Sequence, residues 1–316
     1  FNASDMSYSV GQLRERLTAL NTRIDDCEME AKAPLRVYID RRAFVPTSPT
    51  SDSRSQLAVM GFLLAFGLVF GGILGFEILD DRIRGMAEVE AAIGGHAPEP
   101  IPFLKQGHLE RILLDHPTSP AGHALRALAV RLHRERLKHG AHVIAFCGIN
   151  PGAGNTSIAL NTAQALSRLA PRVLLLALGR DGLAERSGLN PPPASITLLR
   201  DPEELESAIA PDTARGMDLA TIKMGSEALP SKIGLTDLLT RLRNLYDVVL
   251  LDLGPVPEDD LALATLHSVD AAVFTAREDH SIYRDLRRAL ESAAAAGVPS
   301  LTVVLNGTRR PPAGWL

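Results

Sequence analysis

The sequence predicts an α/β protein, with a doubly wound, mostly parallel sheet in its C-terminal part, preceded by one transmembrane helix and, before that, a helical arm. Three observations carry this. Residues 57–76 (LAVMGFLLAFGLVFGGILGF) hold no charged side chain. From residue 142 to residue 305, short apolar runs alternate with helical stretches. The first of those runs opens into a glycine-rich turn, CGINPGAGNTS, at residues 147–157. The length of 316 residues suits about two domains of ordinary size.

Composition narrows the classes. Lys plus Arg is 33 and Asp plus Glu is 37, a formal net charge of −4, so the basic footprint of a nucleic-acid binder is missing and no nucleic-acid partner is expected. With 46% hydrophobic residues the chain is not a long disordered or acidic tail. Two cysteines, Cys27 and Cys147, make neither a disulfide framework nor a zinc site. The first residue is Phe1, which leads us to expect a trimmed or fragmentary start.

In chain order, Val10, Leu13, Leu17, Leu20, Ile24 and Cys27 alternate spacings of three and four, the seam of a helix packed along another long helix. A lone amphipathic helix on a core would give a similar, broader stripe. Residues 36–56 carry Pro46 and Pro49 among Ser and Thr and form an extended connector. The uncharged run follows, and twenty apolar positions at about 1.5 Å rise cross a hydrocarbon core of about 30 Å. Gly67, Gly71 and Gly75 line one face of it, which lets a second helix approach closely, although glycine is common in spans for other reasons. Arg41, Arg42 and Arg54 before the span against Arg82 and Arg84 after it do not fix its orientation. Residues 80–95 predict a short amphipathic helix, broken by APEPIP at 97–102, and a second helix runs over about 121–139. The apolar runs at 142–147, 172–178, 217–224, 247–253, 271–276 and 301–305 then predict strands, with helices at 157–169, 235–246 and 282–296 between them. Near-continuous apolar strands mean a sheet covered on both faces.

In such a domain ligands bind beyond the carboxyl ends of the strands, which points to the turn at 147–157. A phosphate loop runs G-x-x-x-x-G-K-[ST], its backbone N–H groups wrapping phosphate while the Lys reaches the terminal phosphates. Aligned on Gly154 and Thr156, this chain has Ile149 at the first glycine and Asn155 at the lysine. The candidate nucleotide and magnesium residues are therefore Gly152, Gly154, Asn155, Thr156 and Ser157, with Asp252 at the end of the 247–253 strand. Loss of one charge-assisted bond costs about ten- to hundredfold in binding, and transfer chemistry suffers more than binding. A ligand-free strand-to-helix turn would carry the same glycines.

The order of these features resembles the C-terminal half of bacterial polysaccharide co-polymerases, the chain-length-determinant family, whose cytoplasmic domain is a bacterial tyrosine kinase. The resemblance runs over about residues 10–307 and rests on ILDDRIR (78–84), PGAGNTS (151–157), YDVVLLD (246–252) and VVLNG (303–307). It implies an extracytoplasmic helix and connector at 1–56, a transmembrane helix at 57–79, a juxtamembrane helical linker at 80–140 and a cytoplasmic kinase-like domain at 141–316, in the bacterial inner membrane. It also implies a homo-oligomer, held here by the glycine face and Arg126, working with a polysaccharide polymerase, a glycosyltransferase or an outer-membrane export channel. The family's first transmembrane helix and most of its extracytoplasmic domain have no counterpart, so either the chain is a fragment or a partner supplies them. The departures bear on catalysis. Where the family has a second acidic D-x-D motif, this chain has Ala177 and Gly179; its E-x-x-R-x-x-R motif becomes His123, Arg126 and Ala129; and no tyrosine follows Tyr283. The expectation is a non-catalytic co-polymerase or adaptor in exopolysaccharide biosynthesis, chain-length control and export, binding ATP or ADP with Mg²⁺ weakly if at all. The alternatives are an ATP-dependent tyrosine autokinase or ATPase, and a membrane-tethered protein akin to partition and septum-site ATPases.

Overall fold

The computed structural model describes residues 3–33, 53–104, 108–179, 182–189, 205, 207–222, 232–256 and 258–309. The chain divides into two compact units, residues 1–72 and 73–316. In the first, helix α1 (Ala3–Lys32) leaves every seam residue from Val10 to Cys27 exposed. Helix α2 (Arg54–Leu79) starts there and is long and apolar enough to cross a membrane, with none of its residues buried by protein. The 36–56 connector falls mostly outside the described residues.

The second unit is built on an eight-stranded sheet among the described residues, in the order β1-β8-β7-β2-β6-β3-β5-β4. Six strands match the apolar runs: β2 (Val143–Gly148), β3 (Val173–Leu178), β5 (Met217–Ile222), β6 (Val248–Leu253), β7 (Ala271–Arg277) and β8 (Ser300–Thr308). The other two, β1 (Glu99–Pro102) and β4 (Ile209–Asp212), lie at the edges. Only β4 pairs antiparallel. Side chains alternate across the sheet with a period of two. On β2, Val143, Ala145 and Cys147 enter one core and Ile144 and Phe146 the other. The first core is closed by α3 (Met86–Ala92), α8 (Lys232–Leu245), α9 (Asp260–Leu266) and α10 (Tyr283–Ala295), through residues such as Leu239, Leu266 and Leu286. The second is closed by α5 (Pro120–His139) and α6 (Asn155–Leu166), through Leu128, Ile158 and Leu166. Two further short helices are α4 (Ile112–Asp115) and α7 (Gly182–Ser187).

Two expectations are corrected. The APEPIP stretch does not merely break a helix; residues 99–102 form β1, parallel to β8. Prolines 100 and 102 are tolerated because an edge strand need not donate on its outer side. The helix expected over 80–95 is confined to α3, since residues 81–83 are instead extended against residues 279–283. Tyr283 N donates to Asp81 O (2.8 Å), Ile83 N to Ser281 O (2.8 Å) and Asp279 N to Ile83 O (2.8 Å). Within residues 80–140 lie β1, α3, α4 and α5. Helix α5 begins where Ser119 accepts from Gly122 N (3.1 Å) ahead of Pro120, and ends at left-handed Gly140, whose N–H reaches Arg136 O. Such caps are worth about 1 kcal/mol.

Candidate functional site

Strand β2 pairs with β6 on one side and β7 on the other, but the chain leaves β2 toward β3 and leaves β6 toward β7. Reversals of this kind open a crevice at the strands' carboxyl ends, and the glycine loop lies in it. Gly152 and Gly154 take φ of +82° and +96°, a region that side-chain-bearing residues rarely adopt. A Cβ at Gly154 would also run into Asn306 Nδ2. The loop is held from outside by three neighbours. Ser281 Oγ donates to Asn150 Oδ1 (2.5 Å), His280 Nε2 lies 2.9 Å from Pro151 O, and Asn306 Nδ2 donates to Ala153 O (2.8 Å). Ser281 and its neighbours are the residues paired with 81–83, so hydrogen bonds connect the segment following α2 to the loop.

Asn155, the first residue of α6, does not extend toward the crevice as a phosphate-binding lysine would. Its carboxamide is buried. Nδ2 lies 2.8 Å from Asp252 Oδ1, 2.9 Å from Phe146 O and 3.3 Å from Leu253 O, and Oδ1 accepts from Thr275 Oγ1 (3.2 Å). The lysine-position residue and the acidic residue singled out from sequence are thus brought together, and they are bonded to each other. In strand register Asp252 stands opposite Phe146 on β2 and Ala177 on β3. Buried beside Asp252, Cys147 has its thiol pushed well above the usual range, first by burial and then by the charges of Asp252 and Asp259.

Thr156 and Ser157 are buried at the start of α6. Ser157 Oγ accepts from Arg186 Nη1 (2.9 Å), on α7, the helix that follows β3. Across the loop, Arg277 Nη1 lies 3.4 Å from Gly152 O. Sequence reasoning missed both arginines, and only the position of Arg277 at a strand's carboxyl end could have signalled one of them. Arg126, expected at an oligomer contact, donates to Pro117 O and lies 3.0 Å from His123 Nδ1, which ties down the turn before α5.

A magnesium–nucleotide pair does not fit this donor set. Asp252 Oδ1 is taken by Asn155, Ala177 and Gly179 on the neighbouring strand end carry no carboxylate, and Arg186 brings positive charge beside Ser157. A phosphate group alone does fit, since the left-handed loop and the start of α6 present backbone N–H groups to it.

Fold and loop together define an α/β domain of the phosphate-loop type. Its relatives narrow the class further. The chain is 27% identical over 220 residues to the tyrosine-protein kinase wzc of Salmonella typhimurium, covering 67% of this chain and 30% of that protein. It is 25% identical over 188 residues to the tyrosine-protein kinase CpsD of Streptococcus pneumoniae, covering 56% of this chain and 79% of that protein. In fold it matches the kinase domain of the Escherichia coli tyrosine kinase ETK with a TM-score of 0.58, at 19% identity over 68% of this chain and 90% of that one. No protein-family profile matches the chain. The resemblance to the bacterial tyrosine kinases therefore holds in sequence and in fold. The chain spans less than a third of the length of the Salmonella relative.

Proposed function

We propose that this chain is a non-catalytic inner-membrane co-polymerase or adaptor in exopolysaccharide assembly, chain-length control and export, its kinase-like domain kept as a scaffold. The observation that carries this reading is the hydrogen bond between Asn155 and Asp252, which engages inside the protein one oxygen of a carboxylate that phosphoryl transfer would need for its metal. Residues 1–56 lie outside the membrane and residues 80–316 in the cytoplasm, and subunits assemble through the α1 seam and the Gly67, Gly71 and Gly75 face. The hydrogen bonds from residues 81–83 through Ser281 to Asn150 give a scaffold a physical route between the membrane helix and the loop. Partners are a polysaccharide polymerase, a glycosyltransferase or an export channel.

The second reading, an ATP-dependent tyrosine autokinase or ATPase, is favoured by the names of the relatives. Purified full-length protein incubated with ATP and magnesium separates the two. The expected result is no phosphotyrosine and background turnover, unchanged by Asn155→Lys, because removing even one preorganised electrostatic group costs about 10²- to 10³-fold and several are missing. Magnesium-dependent turnover abolished by Asp252→Asn establishes the kinase reading instead.

A further inference from the structure

Beside the loop lies a cavity of about 400 Å³, within the range of about 300–1,000 Å³ typical of small-molecule sites. Phe103, Leu104 and Leu109 give the lining its apolar part, and Arg186, Arg277 and Asn306 bring polar groups to it. Asn306 is about nine-tenths buried, and among the described residues its side chain makes one hydrogen bond, from Nδ2 to Ala153 O. Glu110 also lines the cavity, so two guanidiniums face one carboxylate. A smaller cup of about 50 Å³ is formed by the loop itself, residues 148 and 150–156, with Arg186 at its side. Arg186, Gly152 and Gly154 border both spaces, so a ligand seated in the cavity can place an anionic end in the cup.

From this juxtaposition we infer that the loop and cavity form a magnesium-independent site for a nucleoside diphosphate, with Arg186 and Arg277 as the phosphate-binding cations. The inference deepens the non-catalytic reading and rests on it. A lysine-and-magnesium site neutralises phosphate with one side-chain cation and a metal. Here Asn155 and the missing acidic motif remove both, while two guanidiniums approach the same glycine loop from α7 and from the end of β7. Guanidinium pairs with phosphate oxygens in a planar, two-pronged geometry and keeps its charge at any physiological pH. The α6 N-terminus and the left-handed glycines add backbone N–H donors. The apolar lining of Phe103, Leu104 and Leu109 suits a flat, weakly polar base. It is held in place where Asn161 binds Leu109 O (2.6 Å) and Leu113 N (3.2 Å). Held this way, a nucleotide stabilises the scaffold without being consumed.

Calorimetric titration of the full-length protein in detergent with ADP, once in EDTA and once in excess magnesium, tests this. The expected result is binding in EDTA with no gain from magnesium. Arg186→Gln and Arg277→Gln each weaken it about 10- to 100-fold, and Arg287→Gln, on the exposed face of α10, leaves it unchanged. Binding only with magnesium, no binding in either buffer, or full affinity in both arginine variants overturns the inference. The comparison of EDTA with magnesium uses unmodified protein, so it decides even if a variant misfolds. ATP turnover, measured separately, reports on the non-catalytic reading: turnover with metal-independent ADP binding refutes that reading alone, and metal-dependent binding without turnover refutes this inference alone.

Discussion

The two units of the chain treat apolar residues in opposite ways. In the sheet domain, Phe146, Leu250 and Leu251 are fully buried between two helical layers. In the arm and span, Leu17 is 59% exposed and Phe70 52%. Both regions are apolar, yet only one carries its own interior. The hydrophobic effect gives about 25 cal/mol per Å² removed from water, so the sheet domain gains stability from its own interior, whereas the exposed apolar residues of α1 and α2 gain none within their own helices. The same substitution should therefore act on different quantities in the two regions.

The largest expected effect is in the sheet. Phe146 sits in the middle of β2 and contributes the carbonyl that Asn155 holds, so Phe146→Ala opens a cavity and should cost about 3–5 kcal/mol. Leu17→Ala on the arm should change the sheet domain's unfolding free energy by less than about 0.5 kcal/mol. Denaturant titration followed by tryptic protection of the domain measures both. Equal losses would mean that the arm packs on the domain in solution, and the contrast between the units would fail.

A smaller and pH-dependent difference separates the two cysteines. Cys27 is exposed and Cys147 is buried. Burial raises the Cys147 value above its unfolded one of about 8.5, so the folded protein binds this proton more tightly than the unfolded chain. The associated stability is fully present below about pH 8.5 and is lost as pH rises toward the folded value, by about 1.4 kcal/mol per pH unit. Cys147→Ala should remove that slope, while Cys27→Ala should leave it in place. A maleimide should modify Cys27 in native protein and Cys147 only on unfolding, as read by mass spectrometry. Native Cys147 reacting at the Cys27 rate would refute the closed packing around β2.

How much of this was legible in the sequence follows from the range of the interactions. The six inner strands were visible because burial on both faces writes an unbroken apolar run. The edge strands β1 and β4 were not, since EPIP and IAPD are short, contain proline and are only half covered. The glycine loop was legible from its local spacing. The inward turn of Asn155 was not, because it depends on Asp252, 97 positions away, and Thr275, 120 positions away. Arg186 and Arg277 gave no periodic signal, and single arginines outside a motif look like ordinary surface charge.

The smallest effect on the domain, and the most specific to the other unit, is expected from Gly71→Leu. Gly71 lies in α2 with open space around the position a Cβ would take, so within one chain leucine meets nothing and the sheet domain's melting should not move. Between two spans the result differs. A stripe at Gly67, Gly71 and Gly75 allows backbones to approach closely, and a leucine at its centre holds them apart, removing the close van der Waals contact that drives helix association where lipid is as apolar as the side chains. Light scattering of the detergent-solubilised protein should then report a lower mass for Gly71→Leu than for the unmodified chain, with domain stability equal in the two. Unchanged mass would assign assembly to the α1 seam alone, and Leu17→Ala would then be the substitution that lowers it.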